Sequence, residues 1–334
     1  MVAVLLATGL AVLVVSIAIT LTIGPADLSV SEVYSVVGEH LGFDAAHVSR
    51  IKEGIVWELR LPRTLLAAIC GAGLALCGAI MQSVLRNPLA DPFVLGISSG
   101  ASTGAVAVAV LGLGGGAISL TAGAFGGAIA AFALVLILAA AVGGGTARII
   151  LAGVAATQLF SALTSFIVVS SADAEQTRGV LFWLLGSLSG ADWNDVAVCG
   201  AITGAGLVIC LSCAPALDAF TFGESAAAAL GIPVRTTRAL LLAVTALITA
   251  ALVSAAGAIG FVGLVLPHAA RLVVGPRHRR LLPVTVLAGA IFTVWVDVAA
   301  RTVFAPTEVP VGVATALIGV PAFIALLLRN RAMA

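Results

Sequence analysis

The sequence predicts an all-α polytopic membrane protein of about ten transmembrane helices with both termini cytoplasmic. Three observations carry that class. First, 61% of the 334 residues are hydrophobic and only 9% are charged, against about 25% charged in an ordinary soluble domain. Second, runs of roughly 20 apolar residues recur along nearly the whole chain, each enough to cross about 30 Å of hydrocarbon. Third, the basic residues are shared unequally between alternate breaks in those runs.

Taken in order, the first run (Val2 to Ile23) lacks a basic n-region and is too long for an h-region, so it reads as a span rather than a signal peptide. An outer loop over 24–61 follows and is expected to hold a surface helix. Further spans are expected at 62–85, 93–111, 117–142, 148–170 and 194–214. After a polar break they resume at 238–256, 257–274, 281–304 and 310–328. The tightest turns are Gly112–Gly116 and Ala255–Gly257, the second almost without polar residues. Gly96, Gly100 and Gly104 form one helical stripe, and Gly123/Gly127 and Gly200/Gly204 repeat it. Such stripes let backbones approach closely in lipid. Residues 1–334 read as a single transmembrane domain.

The break at 215–238 differs from the others. Phe220 to Arg238 reads FTFGESAAAALGIPVRTTR. Gly223 and Glu224 open an Ala-rich run, and Gly231-Ile232-Pro233 closes it. Glu224 suits the positive end of a helix dipole, and Gly231 suits a C-terminal cap. A short helix and turn between spans six and seven presents a surface; a plain connecting loop is the alternative. One side of the membrane collects Arg86, Arg148, Arg235, Arg238, Arg271, Arg277, Arg279, Arg280, Arg329 and Arg331 against Asp91, Asp218 and Glu224. The other side has six basic residues and most of the acids, Asp27, Glu32, Glu39 and Asp44 among them. The arginine-rich side is expected to be cytoplasmic, which puts the polar break there.

Lys52 is the only lysine, so no Gly-x-x-x-x-Gly-Lys-Ser/Thr loop exists and an ATP site of that kind is excluded from this chain. No His-Glu-x-x-His motif occurs either, and no enzyme is expected. Cys70, Cys77, Cys199, Cys210 and Cys213 all fall in apolar runs and read as small core residues, Cys210-x-x-Cys213 included. Asp297 and Arg301 are four apart on the ninth span and can pair. Other midplane carboxylates are scarce, against an ion-coupled carrier. His268, after Pro267, reads as structural. Arg60 and Arg63 bracket Leu61-Pro62 at the second span, and Arg301 closes the ninth. Their forked donors suit carboxylates on a docking protein; interfacial anchoring is the alternative.

Several segments resemble one family in order. Leu59-Arg60-Leu61-Pro62-Arg63-Thr64 is followed by Gly78-Ala79-Ile80-Met81-Gln82 and by Arg86-Asn87-Pro88-Leu89-Ala90-Asp91-Pro92. Then come Leu151-Ala152-Gly153-Val154, Trp183-Leu184-Leu185-Gly186-Ser187-Leu188, Gly257-Ala258-Ile259-Gly260-Phe261-Val262-Gly263-Leu264, Glu308-Val309-Pro310-Val311-Gly312 and Gly319-Val320-Pro321-Ala322-Phe323. From about residue 57 onward the chain resembles the FecCD-type permeases, membrane subunits of binding-protein-dependent ABC importers for ferric siderophores, haem and cobalamin.

That resemblance implies a homodimer of permeases in the cytoplasmic (inner) membrane of a bacterium. Two ABC ATPase subunits would sit beneath it, and an extracytoplasmic substrate-binding protein would dock above. It implies ATPase coupling through Gly223, Glu224, Ala228, Leu230 and Gly231. It also implies docking through Arg60, Arg63 and Arg301, and an inner gate at Gly145 and Thr146. A ferric siderophore ranks first as cargo, with haem and cobalamin as variants. No cofactor, resident metal or nucleic acid is expected. The alternative reading is an ion-coupled secondary transporter.

Overall fold

The computed structural model describes residues 2–24, 26, 28–43, 48–143, 145–171, 173–305 and 307–331. Asp27 and Asp44, counted above among the outer acids, lie outside them. The elements are α1 (Val2–Thr22), α2 (Val30–His40), α3 (Arg50–Gly54), α4 (Leu61–Val84), α5 (Ile97–Leu111), α6 (Leu120–Ala141), α7 (Thr146–Ser171) and α8 (Ala174–Leu184). They continue with α9 (Trp193–Ser212), α10 (Ala214–Phe220), α11 (Glu224–Ala229), α12 (Val234–Ala256), α13 (Val262–Val274), α14 (His278–Thr302) and α15 (Val311–Arg331). Among the described residues seven helical stretches are long and apolar enough to cross a membrane: α1, Arg50–Val84, α6, α7, α9, α12 and α14. α5, α13 and the Val311–Ala325 part of α15 are shorter apolar helices. They stand where the third, eighth and tenth spans were expected.

α4 is the centre of the bundle, touching α9, α12, α13 and α14. Its middle is built from Gly, Ala and Cys, and nearly every residue from Ala67 to Val84 is buried. Small residues are needed there because neighbouring backbones come within contact. A Cβ at Gly71 would lie 2.1 Å from the Gly289 carbonyl oxygen of α14, and one at Gly78 would lie 1.8 Å from that of Gly263 on α13. The glycine stripe of α5 is likewise a packing seam, Gly100 resting on Gly127 and Gly104 on Gly123 of α6. Gly204 of α9 instead faces open space.

Three boundaries differ from the sequence expectation. Helix continues backwards from α4 through Arg50, so Arg60 is helical rather than in a loop. The join is a π-turn over Ile55–Arg60, with the Leu61 N–H reaching the Val56 carbonyl. Pro62 has no N–H to bond the Glu58 carbonyl, and widening the preceding turn accommodates that loss. Between α12 and α13 the chain leaves the helix over Gly257–Phe261, a longer break than the expected turn. Finally, α8 was not anticipated. Its start carries a capping box in which Asp173 and Gln176 exchange side-chain and backbone hydrogen bonds. The outer loop does hold a surface helix, α2, with a similar box between Ser29 and Glu32. A satellite apolar cluster of Leu21, Val33, Val36, Val56 and Leu61 fastens that loop to α1 and α4.

Candidate functional site

Arg60 and Arg63 stand at the start of α4 and Ser83 at its end, so polar groups gather at opposite ends of the bundle, about 30 Å apart at 1.5 Å per residue. At the arginine end, Arg63 grips two acids. Its Nε donates to both carboxylate oxygens of Asp297 at 3.1 and 3.2 Å. Its Nη1 donates to Glu308 Oε2 at 3.0 Å. Arg301 is one turn beyond Asp297 on α14, its Nε 3.5 Å from Asp297 Oδ2, and its Nη2 donates to the Thr20 carbonyl at 3.1 Å. Arg60 donates to the carbonyls of Leu21 at 2.9 Å and Ala26 at 3.0 Å.

In this structure all three forks are engaged within the chain. Arg60 and Arg301 are only 5% and 6% exposed. They brace α1 and the loop behind it. Arg63 is largely buried, and Glu308, 37% exposed, is the charge of this cluster most open to solvent. The Asp297–Arg301 pairing predicted from spacing is present, but Arg63 is the closer partner of Asp297. A carboxylate so neutralised is poorly suited to carry a coupling ion.

At the opposite end, the polar break folds into α10 and α11. Gly231 ends α11 with φ +79°, its N–H bonded to Ala228 O at 2.9 Å and the Ile232 N–H to Ala227 O at 3.1 Å. This is the paired-bond glycine cap expected from the sequence. Glu224 occupies the first turn of α11, half exposed, and is ion-paired with Arg238 of α12. Gly223 and Ala227 face inward, whereas Ala228 and Gly231 are exposed, as are Leu230 (71%) and Phe222 (79%). Gly145, exposed, accepts from the Ile149 N–H at 3.1 Å, and Thr146 is half-buried in the first turn of α7.

Nearby lies a polar group that sequence reasoning missed. Gln82 of α4 donates to the carbonyls of Gly263 and Leu264 at 3.2 Å each and accepts from Arg271, tying α4 to both ends of α13. Ser83, His278 and Asp218 form a second chain of short contacts. His278 sits in the run Arg277-His278-Arg279-Arg280, where the surrounding charge hides its individual role.

Residues 12–329 match the FecCD transport family. The chain belongs to that family. It is 47% identical to the cobalamin import system permease protein BtuC of Halobacterium salinarum over 83% of this chain and 74% of that protein. It is 41% identical to the vitamin B12 import system permease protein BtuC of Klebsiella pneumoniae, over 83% of each chain. An uncharacterized ABC transporter permease protein of Bacillus subtilis, YvrB, is 37% identical over 96% of this chain and 92% of its own. A solved inward-facing structure of a metal-chelate type ABC transporter superposes with TM-score 0.85 at 31% identity, covering 97% of this chain and 98% of that one. This FecCD chain is therefore an ABC-importer permease, a membrane transport subunit and not an enzyme.

Proposed function

We propose that the chain is the permease of a cobalamin importer, working as a homodimer in the cytoplasmic membrane of a bacterium. Two ATPase subunits sit beneath the pair and a substrate-binding protein docks above it. The observation that carries the cargo is the group of relatives at 40–47% identity that are named for cobalamin or vitamin B12 import. It moves cobalamin ahead of the ferric siderophore that the sequence ranked first. The metal-chelate neighbour keeps siderophore and haem as competing cargoes.

In this reading α11 seats in the ATPase, with Gly223, Glu224, Ala228, Leu230 and Gly231 as the contact. What supports it is the exposure of the apolar Phe222 and Leu230 on either side of a short helix held by the Glu224–Arg238 ion pair. The arginine end receives the binding protein. Arg63 exchanges Glu308 for a carboxylate of the partner, while Arg60 and Arg301 brace the surface from behind. Gly145 and Thr146 form the inner gate. ATP binding then swings the permeases between outward- and inward-facing states. The chain, its ATPase and its binding protein should together accumulate cobalamin in proteoliposomes only with ATP, and haem or a ferric siderophore at under about a tenth of that rate. Uptake without ATP, or a preference for the siderophore, overturns the assignment.

A further inference from the structure

Asp218, near the end of α10, holds two groups of one residue. Its Oδ1 accepts the backbone N–H of His278 at 2.9 Å and lies 2.6 Å from His278 Nδ1. His278 opens α14, so that N–H has no partner within its own helix, and the carboxylate caps it from another element. The negative charge also meets the positive end of the α14 dipole. On the far side of the ring, Nε2 is 2.6 Å from Ser83 Oγ in the last turn of α4. A carboxylate only accepts, so Nδ1 carries the proton. Ser83 is then free to donate to Nε2 in place of the Ala79 carbonyl, 2.9 Å away.

The chain of contacts runs from surface to core: the Asp218 side chain is 38% exposed and that of His278 2%. Among the described residues, the side-chain hydrogen bonds from α10 to α14 all go to His278. α4 and α14 are fastened at two other depths, by Gly71 against Gly289 and by Arg63 with Asp297. They therefore make one stiff pair with the α10 contact at one end and the arginine cluster at the other.

We propose that Asp218 and His278 are positioning residues for energy coupling. They clip the α10–α11 segment to the α4–α14 pair, so that docking at the arginine end and nucleotide events at α11 are felt by one rigid body. The proposal rests on the reading of α11 as the ATPase contact.

The test uses the full complex in proteoliposomes and reads ATP hydrolysis with and without the binding protein, which requires no choice of cargo. Asp218→Ala, at a part-exposed position, should keep the ATPase in the purified complex but lower the binding-protein stimulation at least fivefold. Asp218→Glu, which can still reach the imidazole, should restore at least half of it. Ser83→Ala, cutting only the α4 side, should fall between the two. Parental stimulation in Asp218→Ala overturns the clip. Loss of the ATPase from that complex also overturns it, because Asp218 would then be an assembly residue. Glu224→Arg tests the underlying reading separately: normal ATPase association and normal stimulation there would refute the α11 contact itself.

Discussion

At the scale of single residues, the Arg63–Asp297 pair carries the sharpest consequence. The Asp297 side chain is 2% exposed and lies between two guanidinium groups. Removing one partner of a buried pair costs about 3–5 kcal/mol because the other charge stays buried. Asp297→Asn should therefore lower the thermal unfolding midpoint in detergent clearly. Replacing both Arg63→Met and Asp297→Leu should recover part of the loss. An unchanged midpoint for Asp297→Asn would mean that water already screens the pair. The Asp297–Arg301 contact was legible because four residues is one helical turn. Arg63 was not legible as the closer partner, since 234 residues separate it from Asp297. The burial of Arg60 and Arg301 was hidden for a different reason. An arginine at a span boundary has the same sequence context whether its head turns outward to water or inward to carbonyls.

At the scale of helices, the glycine crossings decide which elements can move apart. Gly78→Ala places a methyl where the Gly263 backbone already stands. Overpacking of a tight contact costs about 1–3 kcal/mol, and here neither backbone has room to shift. Gly204→Ala meets open space and should be neutral or slightly stabilising, since alanine favours helix over glycine by about 1 kcal/mol. Midpoints measured on the two variants side by side check the contrast; equal midpoints would show that the α4–α13 crossing is loose. The stripe in α5 could be read from its spacing of four as a seam. The match of Gly71 with Gly289 could not, because nothing local names the opposite helix. α8 was overlooked although its Asp173–Gln176 box is a sequence signal. A search for long apolar runs passes over an amphipathic helix of 11 residues.

At the scale of the whole molecule, the charge bias predicts a cytoplasmic α11 end and an outer α2 end. The thiol background suits a direct check. Four of the five cysteines are buried and only Cys213 is partly open. With Cys213→Ala as parent, Phe222→Cys should react with an impermeant maleimide only in inside-out vesicles, and Leu41→Cys only in right-side-out ones. The reverse pattern would invert the topology. The α4–α14 pair also has a history in time. Its fastenings join residues 195 and 234 positions apart in the chain. At about 5–20 residues per second of synthesis, α4 waits on the order of 10–50 s in the bilayer before α14 arrives. Arg63 spends that interval without its acid. It stands within the first turn of α4, close enough to the membrane boundary for its head to rest in water until Asp297 takes it in.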